Sequence, residues 1–381
     1  MNTRDILARL IAFPTVSRDP NRELIDWVAG LLAERGIAAT ILPDASGRKA
    51  SLFASVGATR QGGVLLSGHT DVVPVDGQSW TKPPFDLTEE GGRLYGRGSC
   101  DMKGFCAAAI HAMLKAPPDL ASPLHLALSH DEEIGCIGVR PMINMLARAP
   151  FRPALCIVGE PTSMAVATGH KGKTALRATC TGEAGHSALA PLAMNALHLA
   201  VDFAAALRAA QAAIVAGGRH DGDYDVPHTT LHMGRIEGGD SLNIVPARAV
   251  VDFEIRNLAG DDPKRIIDTL RARAAEIVAR ADHPAAAIEI DELWSYPGLD
   301  TPKDAAGVAF VRALTGANGT IKVAFGTEGG LFDTGLGIEV VICGPGSMEQ
   351  GHKADEFVAA DQLAACDAML SRLLERLRAG L

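Results

Sequence analysis

Apolar positions along this chain follow two alternating periods. Residues 21–35 carry Leu24, Val28, Leu31 and Leu32 at helical spacing and stop at Gly36, which reads as an amphipathic helix closed by a glycine. Short apolar runs over 51–56, 63–67, 124–129 and 154–158 have the length of strands, and helical stretches over 105–114 and 139–148 fall among them. Strands that alternate with helices imply an α/β fold, a mostly parallel sheet flanked by helices on both faces.

The pattern changes near Gly172. The order becomes a strand over 174–181, a long alanine-rich helix over 191–213, strands over 229–237 and 247–256, a helix over 263–281 and a strand over 286–293. This β-α-β-β-α-β order describes an α+β domain in its own right. From about Gly298 the chain returns to helix, a strand over 339–343, a loop and a final helix. The expected organisation is a catalytic domain made of residues 1–170 and 297–381, with residues 171–296 inserted into it.

Composition narrows the class of molecule. At 381 residues, with 47% hydrophobic and 21% charged side chains, the chain exceeds what one core usually supports and leaves little room for long disorder. A net charge of −9 and a sequence pI near 5.7, with no concentrated basic face, argue against nucleic acid or an anionic membrane as partner. The N-terminal stretch has Arg4, Asp5 and Pro14 where a secretory signal would have an apolar run, and no later segment is expected to span a membrane. The expectation is a soluble, cytoplasmic protein. Seven cysteines, an odd number without CxxC spacing, read as small core residues.

Candidate chemistry lies at segment ends: His69 with Asp71, Asp101, the run Asp131-Glu132-Glu133, Glu160 and His352. No local loop could gather residues so far apart, so the pattern suggests a site assembled by folding, and the ends of parallel strands are where open α/β sheets bind ligands. His69 offers an imidazole, and Asp71, two residues on, points the same way in extended chain. Alone, such a pair is more often a surface turn. Asp101 ends a glycine-rich turn before a helix, where it reads either as an N-cap or as a carboxylate bridging two cations. The three consecutive acids are either a solvated cluster or a division of labour between binding a metal and moving a proton.

Taken in order, SGHTDVVPV, GRGSCDMKG, DEEIGCIG, VGEPT, GHS, NIVP and CGPGSMEQGHKADE resemble the dinuclear zinc amidohydrolase family of acetylornithine deacetylases, succinyl-diaminopimelate desuccinylases, aminoacylases and glutamate carboxypeptidases. The resemblance spans about Val64 to Glu356. It implies a zinc-peptidase-like catalytic domain with an inserted lid and dimerisation domain, and two divalent metal ions. Zinc is the expected metal, and the same N/O donors also suit cobalt or manganese.

Carried over by position, the resemblance makes His69, Asp101 and Glu160 the ligands of one metal, and Asp101, Glu133 and His352 those of the other. Asp71 would orient His69, and Glu132 would act as general base and then acid. The peptide bond after Asp101 would be cis. His186, in GHS, resembles an oxyanion donor supplied across a homodimer interface, and Asn243, in NIVP, a second polar contact. Arg256 resembles the residue that pairs with a substrate carboxylate, although a salt bridge within the sheet explains it equally well.

Within the family, VGEPTS, GHKG and CGPGS resemble the acetylornithine deacetylase branch, which implies hydrolysis of N2-acetyl-L-ornithine to L-ornithine and acetate in arginine biosynthesis. Glu328, in GTEGG, resembles that branch too and would attract the ammonium of ornithine, unless it is an exposed loop residue. A broader N-acyl-amino-acid hydrolase, a desuccinylase and a catalytically silent relative stand as alternatives. The GHKGKT run at 169–174 lacks the first glycine of a phosphate-binding loop and is expected to lead into a strand, and no GxSxG or HExxH is present.

Overall fold

The computed structural model describes residues 1–381. In chain order the first segment contains α1 (Thr3–Ile11), α2 (Arg22–Ala33), β1 (Ala39–Pro43), β2 (Ala50–Val56), β3 (Val64–His69), β4 (Thr88–Glu90), β5 (Arg93–Tyr95), α3 (Lys103–Lys115), β6 (Leu124–Ser129), α4 (Val139–Arg148), β7 (Leu155–Pro161) and β8 (Ala167–His170). The middle contains β9 (Lys173–Thr181), β10 (Gly185–His186), a 3-10 turn over Ser187–Leu192, α5 (Ala196–Gly217), β11 (Thr230–Gly238), β12 (Ile244–Val245), β13 (Arg248–Arg256), α6 (Pro263–Ala281) and β14 (Ala287–Tyr296). The last segment adds β15 (Leu299–Asp300), α7 (Ala306–Thr315), β16 (Ile321–Val323), α8 (Gly329–Leu336), β17 (Glu339–Gly344), β18 (Phe357–Ala359) and α9 (Ala360–Ala379).

The chain divides into two compact units. The first is Met1–His170 with Leu299–Leu381, and the second is Lys171–Gly298. In the first unit one sheet runs β1-β2-β6-β3-β7-β17-β8-β15, with β16 beside β8. Its centre is parallel, β6 with β3, β3 with β7 and β7 with β17, and antiparallel pairs flank it, β1 with β2, β2 with β6, β17 with β8 and β8 with β15, while β16 joins β8 in parallel. Alternation along the central strands assigns the two faces. Val64 and Leu66, Leu124 and Leu126, Leu155 and Ile157, and Val341 and Cys343 join a core with α1, α2, α3, α7 and α9. The intervening Leu65, Ala127, Cys156, Val158, Val340 and Ile342 are equally buried, and α4 and α8 cover strands on that side.

Helix α3 is buried over ten of its residues, and two glycines let it lie close against the sheet. A Cβ at Gly159 would fall 1.9 Å from the Phe105 ring, and one at Gly68 would fall 2.8 Å from Cys106 Sγ. Each of these glycines immediately precedes a candidate ligand, Glu160 and His69. The approach therefore brings the turn that opens α3, and Asp101 with it, onto the ends of β3 and β7.

The second unit is a four-stranded antiparallel sheet, β11-β13-β9-β14, with a separate β10–β12 ladder. The inward residues Leu176, Ala178 and Cys180 of β9 pack with Phe203 and Leu207 of α5 and with Leu270 and Ile277 of α6. The helix expected over 191–213 begins later, at Ala196, where the Asn195 side chain accepts from Leu197 N at 2.9 Å, and Pro191 lies in the separate turn before it. At 22 residues, with a mean hydropathy of 1.6 over its most apolar 18-residue stretch, α5 is long and apolar enough to cross a membrane by length and composition alone, a length the sequence reading did not expect. Its buried stripe of Leu199, Phe203 and Leu207 belongs to this unit's own core.

Several short elements were not anticipated. They include α1, the three-stranded β18-β5-β4 sheet, and β8, β15 and β16 at the margin of the large sheet.

Candidate metal centre

The five candidate ligands converge in the first unit from five places along the chain. His69 and Glu160 end β3 and β7, Glu133 follows β6, Asp101 opens α3, and His352 lies in the turns between β17 and β18. Two donor groups form, His69–Asp101–Glu160 and Asp101–Glu133–His352, each with its ligand atoms within 4.8 Å of one another. Asp101 belongs to both. Its Oδ1 is 3.1 Å from His69 Nε2, and its Oδ2 is 3.1 Å from His352 Nε2. His69 Nε2 also faces Glu160 Oε1 at 3.7 Å, and His352 Nε2 faces Glu133 Oε1 at 3.1 Å. The Asp101–Met102 peptide is cis. Asp101 does not cap α3, whose N-cap is Met102 without a side-chain bond.

Asp71 acts on its surroundings through two different groups. Its main-chain carbonyl accepts from His69 Nδ1 at 2.9 Å, which fixes the tautomer that leaves Nε2 facing the carboxylates. Its carboxylate lies 3.5 Å from the same ring and accepts from Glu132 N at 3.1 Å, Glu133 N at 3.4 Å and Ser17 Oγ at 2.7 Å. Asp71 therefore seats the acidic run as well as the imidazole.

Asp131, the first acid of that run, points elsewhere. Its backbone is left-handed at φ 56, and its carboxylate pairs with Lys49 Nζ at 2.5 Å and His130 Nδ1 at 3.1 Å. This pairing pins the turn that presents Glu132 and Glu133. Three consecutive acids thus have three fates, and Lys49, in a polar stretch before β2, carried no signal of its part in this.

The electrostatics of the site are those of crowded, desolvated acids. Burial, reinforced by Asp101, pushes the Glu160 and Glu133 carboxyls above the usual range. Burial pushes Glu132 up well beyond it, with Glu133, Glu328 and Asp101 adding to the shift against the opposing His69. Asp101 is driven down, because the two histidines outweigh its burial. His69 is raised well above an ordinary histidine, since Asp101, Asp71 and Glu160 overcome the burial that would lower it. Hydrogen bonds to Asp101 and Glu133 push His352 up to about 10.

The three carboxylates and two imidazoles of the donor groups, with the Glu132 carboxyl beside them, crowd negative charge that divalent cations relieve, and N/O donors in two groups sharing one carboxylate suit a pair of them. The residues fit such a pair.

Glu328 is not an exposed loop residue. It precedes α8 at 1% exposure and accepts from Ser67 Oγ at 3.3 Å through Oε2, with the Ser129 hydroxyl also beside its carboxyl. Burial raises its carboxyl to about 7. Cys100 is buried, and burial with the Glu356 and Asp101 charges pushes its thiol up, which removes it as a nucleophile. All seven cysteines are free and buried.

The three remaining candidates belong to the second unit. His186 pairs with Ile244 in the β10–β12 ladder, its Nδ1 accepts from Ala188 N at 3.1 Å, and the neighbouring Ser187 N donates to Asn243 O at 3.0 Å. The Asn243 side chain accepts from Ser241 Oγ at 2.8 Å. Arg256, at the end of β13, donates from Nε to Glu254 Oε1 at 2.9 Å and from Nη1 to Tyr296 OH at 3.4 Å. The salt bridge within the sheet is thus present. The GHKGKT run spans β8 and β9, so no helix follows it.

Comparison with known proteins agrees with this architecture. Residues 65–376 match the family described as peptidase family M20/M25/M40. The acetylornithine deacetylase of Myxococcus xanthus is 35% identical, over 97% of this chain and 96% of its own. That of Pasteurella multocida is 33% identical, over 96% and 95%. Among solved structures, an M20 family metallo-carboxypeptidase from Sulfolobus solfataricus has a TM-score of 0.80 at 18% identity and 100% coverage of both chains. A dinuclear metal binding peptidase of the M20 family from Bacillus subtilis has a TM-score of 0.67 at 15% identity, covering 98% and 96%. At such identities these structures speak to the fold. The chain belongs to peptidase family M20/M25/M40 and is a hydrolase of that family.

Proposed function

We propose that this chain hydrolyses the N-acyl amide of an acylated amino acid, with N2-acetyl-L-ornithine as substrate and L-ornithine and acetate as products, in arginine biosynthesis. The observation that carries the reading is the pair of donor groups sharing Asp101, with the buried acid Glu132 next to Glu133. Relatives named acetylornithine deacetylase support the choice of substrate. His69, Asp101 and Glu160 would hold one cation and Asp101, Glu133 and His352 the other, zinc in our reading. Such a pair supplies Lewis acidity toward a carbonyl oxygen and lowers the pKa of water.

The chain's own residues do the rest. Glu132 accepts the proton of the attacking water as its oxygen bonds to the amide carbon, then delivers that proton to the nitrogen as the C–N bond breaks. A carboxyl raised well above its usual range is suited to both halves of this transfer. Asp71 holds the main chain of Glu132 and Glu133 and keeps His69 turned toward the cations. We assign His186 of the partner subunit in a cytoplasmic homodimer as donor to the developing oxyanion, with Asn243 beside it. Arg256 is assigned to the substrate carboxylate, and the second unit is assigned the roles of lid and dimerisation domain. Glu328, a buried carboxyl in the same unit as the donor groups, is assigned to the side-chain ammonium.

The test is amine release from N-acetyl-L-ornithine, N-acetylnorleucine and N-succinyl-L,L-diaminopimelate by metal-loaded protein. We expect selective release from acetylornithine, and a loss of about 10²–10⁴ in turnover with metal retained in Glu132→Gln. Equal turnover of acetylornithine and acetylnorleucine would overturn the assignment of Glu328. Release from none of the three by protein holding two metals would reject the substrate and keep the hydrolase.

A further inference from the structure

The two donor groups are held by different means. His69 and Glu160 stand on β3 and β7, where the sheet ladder sets their main chain. His352 stands in a stretch of turns, with a left-handed backbone at φ 61 and a side chain 43% exposed. A ligand on such a segment needs another source of order.

That order is traceable through a buried ion pair. Arg97 and Glu356 meet at 2.6 Å with side chains 1% exposed. Glu356 Oε1 accepts from Cys100 N at 2.9 Å and from Asp101 N at 3.0 Å, which anchors the main chain of the shared ligand. The guanidinium of Arg97 donates to Gln78 Oε1 and to Lys353 O, the latter at 3.3 Å, and lies 5.0 Å from the centre of the Trp80 ring. Gln78 Nε2 donates to His352 O at 2.9 Å, and Trp80 Nε1 holds Gln78 Oε1 at 3.0 Å. An unbroken path of hydrogen bonds thus runs from the main chain of Asp101 to that of His352.

We propose that Glu356, Arg97 and Gln78 are positioning residues that lock the His352 main chain to the Asp101 main chain and so set the affinity of the Asp101–Glu133–His352 group for its cation. The proposal rests on the cation-binding reading of the site. A buried ion pair is an inefficient way to stabilise a fold, because desolvation offsets most of its attraction. This pair spends its hydrogen-bonding capacity on the backbone of Asp101 and, through Gln78, on that of His352, which is the use that outer partners of metal sites generally serve. Arg97 lies within the GRGSCDMKG motif without a role read for it there, and no motif marked Gln78, since the path closes only when the 78–82 turn packs on the 352–356 turn. Asp355 secures that packing by accepting from Thr81 N at 2.8 Å.

Gln78 is half-buried, so its variants leave the core intact. The experiment is calorimetric titration of metal-free protein with zinc, comparing wild type with Gln78→Ala, Gln78→Glu and Glu356→Gln. Gln78→Glu keeps an acceptor for Arg97 and removes the donor to His352. We expect two cations per wild-type chain. Both Gln78 variants should bind one of them as wild type does and the other about 10–100-fold more weakly. Glu356→Gln, acting through the shared Asp101, should weaken both. A Gln78→Glu protein that binds like wild type, or Gln78 variants that lose both affinities equally, would overturn the proposal. Wild-type protein that binds fewer than two cations would instead remove the cation reading beneath it.

Discussion

His125 shows how one side chain links stability to pH. It sits in β6 with no exposure, its Nε2 donates to Gly62 O at 3.0 Å, its Nδ1 accepts from Ser55 Oγ at 2.7 Å, and its ring lies 5.8 Å from both Phe53 and Phe151. Burial, aided by Arg60, lowers it to about 4 against the Gly62 hydrogen bond that raises it. The unfolded chain therefore takes up a proton between pH 6.5 and 4 that the folded chain refuses, so stability falls as pH falls through that window. The term approaches about 3 kcal/mol at its limit. Urea midpoints at pH 7.5 and 4.5 should converge by a corresponding amount in His125→Gln. An unchanged gap would show that the ring is protonated in the folded state. At this same scale the sequence was ambiguous, because an acid such as Asp131 carries no mark that separates a structural anchor from a ligand two residues away.

Among the elements, the contact of α3 with the sheet governs the site. The predicted α/β order followed from periodicity: the strand over 124–129 appears over those same residues, and that over 51–56 begins one residue earlier, at Ala50. Helix α1 was legible in principle, since Asn2 and Asp5 form a reciprocal capping box. The short strands β15, β16 and β18 have two or three residues each, too few to display a period. Gly159→Ala tests the α3 contact. The added methyl would meet Phe105 far inside contact distance, so we expect a loss of about 1–3 kcal/mol in chemical denaturation, partly recovered by Phe105→Leu in the same chain. Simple additivity of the two substitutions would show that the helix moves away from the strand instead.

For the whole molecule, the assignment of His186 to its partner's active site predicts complementation. Glu132→Gln and His186→Ala chains are each expected to be inactive, by about 10²-fold or more. Unfolded together and refolded at equal ratio, they should regain about a quarter of wild-type activity. Half the dimers would be mixed, and one of the two sites in each would carry both Glu132 and the partner subunit's His186. No recovery on mixing would confine His186 to its own chain or remove it from the reaction. The same scale decided the division of the chain, because units are defined by what packs with what. The second unit closes at Gly298, two residues beyond the sequence-based boundary, since β14 extends to Tyr296 before the chain re-enters the large sheet at Leu299.

The sequence by itself determined the α/β class, the interruption of one repeating pattern by another, and the candidate donors at strand ends, because periodicity and residue chemistry are local properties that survive without coordinates. Only the tertiary structure decided which oxygen of Asp101 faces which histidine, that Asp71 turns its carbonyl to His69 and its carboxylate to the acidic run, that Glu328 is buried, and that Arg97 and Gln78 reach the main chain of His352. These are relations between residues up to 274 positions apart, and their geometry exists only once strands, helix and loop have packed.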